Sequence, residues 1–249
     1  MERDGFVLGP RLVPLDTLPA VVDHMDAVIA GEYETGVPPT ARLWNPGDDP
    51  TKLVKIDNPH VCDDELLRLV CTPELGRWAA ELMGADMVQV WEVQLLFKPP
   101  GGSTGANVGW HQDQTYWQDW MDGEVFTAWV AVADVPIEAG AVRFVRGSHH
   151  WGHLGGENFF IDDLDGLRDE IQSSSGKEWD EVPAVLQAGE ASFHHKLTLH
   201  GSMPNLSDQP RRGFAVHLRT ERSRPLAGAP QPYPSALDDP RRCPVIFSR

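Results

Sequence analysis

The sequence predicts a mainly β protein with flanking helices, closing as a β-sandwich or a jelly-roll barrel. Three observations predict it. The chain has 249 residues, enough for one large domain. Helix-patterned segments fill its N-terminal third. Short runs rich in β-branched and aromatic residues, cut by Gly and Pro, fill the rest.

Phe6-Val7-Leu8, between Gly5 and Gly9-Pro10, reads as an opening strand. Asp16 or Thr17 is placed to cap a helix from Leu18 to Ile29, where Val21, Val22, Met25, Val28 and Ile29 recur at helical spacing and Gly31 stops it. Residues 36–50 are loop. Asp63-Asp64-Glu65 opens a second helix ending near Cys71, and Thr72-Pro73 opens a third that closes at Gly84. From Met87 the period changes to that of strands, and this first strand region stops at Pro99-Pro100. Val125–Val132, Val142–Val145, Ala191–Phe193 and Phe214–Leu218 are further strands. Between them, residues 151–182 turn acidic and polar, with a short helix around Leu164–Ile171; such an excursion suits a lid. Residues 1–249 thus read as one domain: a helical part at 15–84, a barrel at 86–220, the insert at 151–182, and an irregular Pro- and Arg-rich tail at 222–249.

Composition excludes several classes. A net charge of −16 repels nucleic acid and anionic membrane, so neither is an expected partner. There is no apolar run of spanning length and no basic-then-apolar leader pattern. Cys62, Cys71 and Cys243 form no Cys-x-x-Cys pair and read as reduced thiols of a cytoplasmic protein. Oligomeric state leaves no mark on the sequence.

The chemistry centres on Gly109-Trp110-His111-Gln112-Asp113. In an extended strand, residues at i and i+2 share a face, so His111 and Asp113 converge. An imidazole and a carboxylate make two thirds of the 2-His-1-carboxylate face that holds non-haem ferrous iron with positions left open. His200, before Gly201 at the end of an apolar alternation, is the candidate third ligand. Arg211 follows eleven residues later. A dicarboxylate co-substrate on such an iron would carry its remote carboxylate deep into the pocket, where a guanidinium fork is the matching partner and Ser202 can add a hydroxyl. His149 and His153 have zinc-like helical spacing, but the glycines around them oppose a helix.

The set Trp-His-Gln-Asp at 110–113, Trp129, Gly-Ser-His at 147–149, His-Gly-Ser at 200–202 and Arg211 resembles the phytanoyl-CoA dioxygenase family, iron(II)/2-oxoglutarate oxygenases. The resemblance runs from about Lys55 to Arg219. It implies a double-stranded β-helix, a jelly-roll or cupin-like barrel. It implies His111, Asp113 and His200 as iron ligands, and Arg211 and Ser202 at the remote carboxylate of 2-oxoglutarate. Trp129, Gln94 and Lys55 match further co-substrate positions, and Glu92 and Trp117 match substrate positions. The implied cofactors are Fe(II), 2-oxoglutarate and O2, and the implied partner is a small-molecule substrate.

The implied reaction is hydroxylation of a small or medium-sized metabolite or natural-product intermediate, with release of succinate and CO2. Desaturation, epimerisation and ring-forming oxidation use the same residues. Halogenases of this class have a small residue where Asp113 stands, so Asp113 points away from halogenation. Gln114-Thr115-Tyr116-Trp117 departs from the ectoine hydroxylase pattern. The reading from another class is a metal- and ligand-binding barrel without turnover.

Overall fold

A computed structural model of the chain describes residues 1–155, 163–229 and 236–249, apart from the Thr104 side chain. Strand β1 (Phe6–Arg11) leads into helix α1 (Leu18–Ala30). Val21, Met25 and Val28 bury one stripe of that helix, and Gly31 ends it in the left-handed conformation. Thr17 stands at the N-cap position, yet its hydroxyl donates back to the Pro14 carbonyl at 2.8 Å and does not cap the helix.

Two short strands, β2 (Ala41–Arg42) and β3 (Val54–Asp57), lie within the stretch expected to be helical. Next come α2 (Asp64–Val70) and α3 (Pro73–Met83). Asp63 caps α2 by accepting from the Glu65 and Leu66 amides.

The rest is strand-dominated. β4 (Met87–Lys98) is followed by β5 (Val108–His111), the one-turn helix α4 (Gln114–Trp117), β6 (Met121–Ala131) and β7 (Arg143–Val145). Helix α5 (Leu164–Ser175) precedes β8 (Glu181–Pro183), β9 (Glu190–His195), β10 (His200–Ser202), β11 (Arg211–Pro225) and β12 (Val245–Ser248).

These strands form the expected jelly roll from two antiparallel sheets. The larger has the order β1-β9-β6-β11-β4-β3-β2, with β12 also on β4; the smaller has the order β5-β10-β7-β8. Alternation along each strand sorts the side chains. On β6, Phe126, Ala128 and Val130 face α1, α2 and α3 and join their core with Val93, Leu95, Phe214 and Val216. Trp129 and Ala131 face the other way, toward Phe144 and Val142 of the smaller sheet. The site lies in this space between the sheets.

One expectation needs correction. The tail is not irregular throughout: β11 runs on to Pro225, and β12 pairs with β4 through Val245↔Gln89 and Ser248↔Met87. Val245-Ile246-Phe247 supplies apolar residues of strand type, and β3 covers only the other half of β4, which leaves an edge to pair. The excursion contains a full helix whose Leu164, Leu167 and Ile171 pack with Trp110 and Leu199. The lid reading falls partly on residues 156–162, which lie outside the described residues. Among the described residues, no helix is long and apolar enough to cross a membrane.

Candidate active site

His111 ends β5 and His200 begins β10, and the two are paired across the smaller sheet. Each ring is fixed by its own backbone: His111 Nδ1 lies 2.7 Å from the Gly109 carbonyl and His200 Nδ1 lies 2.9 Å from the Thr198 carbonyl. A carbonyl only accepts, so both Nδ1 atoms carry hydrogen, and in the neutral form of each ring Nε2 presents its lone pair. Asp113 Oδ1 lies 3.7 Å from His111 Nε2 and 3.6 Å from His200 Nε2. The three form a buried cluster whose ligand atoms all lie within 4.8 Å of one another.

Asp113 reaches this cluster by a route the strand argument did not foresee. It is not in β5. Its backbone is already helical (φ −54°, ψ −34°), and it precedes the first residue of α4. The strand ends at His111, and the turn into α4 swings the carboxylate back toward the two rings.

Its second oxygen is held by residues of the larger sheet. Thr127 on β6 donates to Asp113 Oδ2 at 2.7 Å, and His194 Nε2 on β9 lies 3.1 Å from the same atom. A carboxylate accepts both, so the Thr127 oxygen is left to accept from His217 Nδ1 at 2.9 Å. Burial opposes ionisation of Asp113, but the surrounding histidines, with the His194 hydrogen bond, outweigh it and hold the carboxyl well below its usual range. Burial, with His111 and His194 beside it, keeps His200 neutral. Two imidazole nitrogens and a carboxylate thus converge on one point. That donor set fits a divalent cation of the kind bound by two imidazoles and a carboxylate.

From this cluster a cavity of about 40 Å³ runs between the sheets to Arg211, lined also by Gln94, Thr127, Trp129, His194, Ser202 and His217. Arg211 is buried. Its Nη1 donates to the Gly140 carbonyl at 2.7 Å, its guanidinium carbon lies 5.2 Å from the centre of the Trp129 ring, and its Nε has no partner among the described residues. Burial pushes its pKa down to about 9, which leaves it charged at neutral pH. A buried cation with an orphaned donor, lining a small cavity, fits a carboxylate.

Gly213 makes room for the Trp129 ring: a Cβ there would lie 2.3 Å from its Cζ2. Gly213→Ala should therefore lower stability by about 1–3 kcal/mol, read as a fall in the urea midpoint. An unchanged midpoint would show that the ring has slack.

A second, larger cavity of about 290 Å³ opens beside the first. Gln94, His111, Asp113 and His217 line both. Leu43, Lys55, Asp57, Glu92, Tyr116, Trp117 and Trp120 line only the outer one. Trp117 packs edge-on against Trp91 (5.1 Å) and His217 (4.8 Å). Glu92 is buried opposite His217 in the β4–β11 register.

A protein-family model described as Phytanoyl-CoA dioxygenase (PhyH) matches residues 1–213. The chain belongs to the phytanoyl-CoA dioxygenase family. It is 26% identical over 186 residues to a probable alpha-ketoglutarate-dependent hypophosphite dioxygenase of Stutzerimonas stutzeri, covering 72% of this chain and 61% of that protein. It is 26% identical over 244 residues to the ectoine dioxygenase of Bordetella parapertussis, covering 88% and 73%. The chain spans less than two thirds of the length of the first of these. Among solved structures, the non-heme alpha ketoglutarate dependent carbocyclase SnoK from nogalamycin biosynthesis superposes with a TM-score of 0.70 at 24% identity, covering 90% of this chain and 83% of SnoK.

Of the residues matched to the phytanoyl-CoA dioxygenase family pattern, the fold brings His111, Asp113, His200, Ser202, Arg211, Trp129 and Gln94 to the inner cavity. Glu92 and Trp117 line the outer one. Lys55 is the exception to its expected place. It lines the outer cavity, paired with Asp57. The reason lies in the sheet order: β3 is one strand farther from β11 than β4 is, and Lys55 stands opposite Leu96 of β4, whereas Arg211 stands opposite Lys98.

Sequence reading missed Thr127 and His217, while the alternation of His194 and His195 along a strand allows one of them to face the cavity, and His194 does. A signal existed for the two that were missed. Thr127 is two residues before Trp129 and His217 six after Arg211, both even spacings that share a strand face. It also missed Gln112, whose Nε2 donates to the Gly152 and Leu197 carbonyls at 2.9 and 2.8 Å and whose Oε1 accepts from the Leu154 amide.

Proposed function

We propose that this chain is an iron(II)- and 2-oxoglutarate-dependent oxygenase that hydroxylates a small or medium-sized organic metabolite, releasing succinate and CO2. One observation carries the reading: two imidazole nitrogens and a carboxylate converge where two cavities meet, and the smaller cavity is also lined by a buried guanidinium. The relatives named as alpha-ketoglutarate-dependent enzymes support it.

His111, Asp113 and His200 would hold the metal. Bound there with 2-oxoglutarate, it supplies activation of dioxygen coupled to oxidative decarboxylation of the co-substrate. The chain's own residues do the rest. Arg211 and Ser202 would hold the remote carboxylate of the co-substrate, with Trp129 and Gln94 walling its chain. Arg211 and Trp129 are both buried, which keeps bulk water from that end. Thr127 and His194 keep Asp113 ionised and fix which oxygen faces the two imidazoles. The outer cavity, with Tyr116, Trp117 and Trp120 beside Glu92 and the Lys55–Asp57 pair, would take the substrate and present it to the same face. The aromatic wall suits a partly apolar molecule.

Anaerobic addition of iron(II) and 2-oxoglutarate should give the weak visible charge-transfer band of the chelate. Succinate should then form on admitting oxygen, faster with a true substrate than without one. A folded protein that gives the band but no succinate with any compound tried would favour a ligand-binding barrel. One that gives no band would remove the proposal.

A further inference from the structure

Lys98 is the last residue of β4, just before Pro99-Pro100. Its position in the chain suggests a solvated charge. In the fold it is wholly buried. Its Nζ donates to the Ser202 carbonyl at 3.0 Å and to the Met203 carbonyl at 2.5 Å. It stands directly opposite Arg211 in the β4–β11 register.

The mechanism above uses Arg211 and Ser202 but gives Lys98 no part. Its surroundings are nonetheless unusual. Lysine and arginine are seldom fully buried unless paired. Here two such cations are neighbours, and among the described residues neither has a carboxylate partner. Burial and the nearby guanidinium push the Lys98 ammonium well below the usual lysine range. A chain that needed only to anchor the turn after β10 could do so with an amide side chain, without the cost of a second buried charge. An anion arriving in the inner cavity beside Arg211 reverses that cost for both cations.

We propose that Lys98 is a positioning residue for the remote carboxylate of the co-substrate. It acts in two linked ways without touching the ligand. Its ammonium fixes the Ser202–Met203 backbone, and so the Ser202 hydroxyl, beside Arg211. With an anion in the cavity its charge adds to the guanidinium field, so the inner cavity favours a dicarboxylate over a monocarboxylate of the same length. This rests on the oxygenase reading for the identity of the ligand, but the preference for a second carboxylate does not need the metal.

The test compares wild type, K98M and K98Q, each first checked for a native circular-dichroism spectrum and a cooperative melt. Under anaerobic conditions with iron(II), the chelate band is titrated with 2-oxoglutarate and with 2-oxovalerate, which lacks the remote carboxylate. In wild type, 2-oxoglutarate should bind at least about 100-fold more tightly than 2-oxovalerate. K98M should weaken 2-oxoglutarate by about 10- to 100-fold and 2-oxovalerate by less than about 3-fold. K98Q retains a donor for the carbonyls and should behave like K98M if the charge matters.

Equal loss of both ligands in K98M would assign Lys98 a purely structural role and overturn the proposal. Wild-type behaviour of K98Q would overturn the charge. Equal affinity of wild type for the two keto acids would overturn it without any variant. A parallel arm uses metal-free protein and glutarate against valerate at matched ionic strength, read as a rise in melting temperature. Glutarate should stabilise wild type more than valerate does, and K98M should lose that difference. If no chelate forms but this arm holds, the oxygenase reading fails and the role of Lys98 stands; a glutarate effect unchanged in K98M overturns that role.

Discussion

Asp113→Ala should abolish iron-dependent turnover of 2-oxoglutarate and lower iron affinity by on the order of 100-fold or more. The carboxylate has two jobs, one for each oxygen. Oδ1 faces the Nε2 atoms of His111 and His200, and without it the metal face loses its only anion. Oδ2 accepts from Thr127 and His194. Alanine leaves both donors buried with no acceptor, at a cost of about 1–3 kcal/mol each. That cost is offset in part, because a buried charge is removed as well.

The variant should therefore fold with reduced stability and fail in binding. Metal content after anaerobic dialysis, measured beside the thermal midpoint, separates the two effects. Thr127→Val makes a graded companion: it keeps the ligand and removes one donor, and should cost about 10-fold in iron affinity. Full iron content and full succinate release in Asp113→Ala would show that the metal face has been placed wrongly.

Arg211→Met should raise the KM for 2-oxoglutarate by about 100- to 1,000-fold, with a much smaller change in kcat. Methionine fills most of the volume and keeps the contact with the Trp129 ring. It removes the charge and the donor to the Gly140 carbonyl. The remote carboxylate does not react, so its loss is a loss of binding shared by ground and transition states. Ser202→Ala should cost less, about 10-fold. Initial rates against 2-oxoglutarate concentration read both. An Arg211→Met enzyme with an unchanged KM would exclude this arginine from the co-substrate site. Arg212 could not replace it, because that side chain lies on the other face of the strand, where it pairs with Asp26 at 2.8 Å and lies over Phe97.

Much of the fold was legible because local rules decided it. The stripe of Val21, Met25 and Val28 fixed α1, the Asp63 cap and Thr72-Pro73 fixed the starts of α2 and α3, and glycine ended two of the three helices. The end of β4 was marked by Pro99-Pro100. Where the reading fell short, local rules were silent. β12 exists only because the N-terminal half of β4 has an edge that β3 leaves uncovered. The strand read over Phe214–Leu218 in fact begins at Arg211, because Arg211 pairs with Lys98 and Arg212 with Phe97.

Type, order and spacing single out His111, Asp113, His200 and Arg211 in the sequence, and the fold brings all four to one cavity. How they are held follows from contacts between distant segments. Asp113 lies in a helical turn outside the strand, and its second oxygen is fixed from β6 and β9, strands that no local pattern ties to β5. Lys55 went to the outer cavity because of the place of β3 in the sheet order, and Lys98 came to lie beside Arg211 because of a register set between strands more than a hundred residues apart. Period and propensity tell a strand which face to bury. Which strand lies next to it, and which charge then faces which, is settled only when distant segments pair and exclude water together.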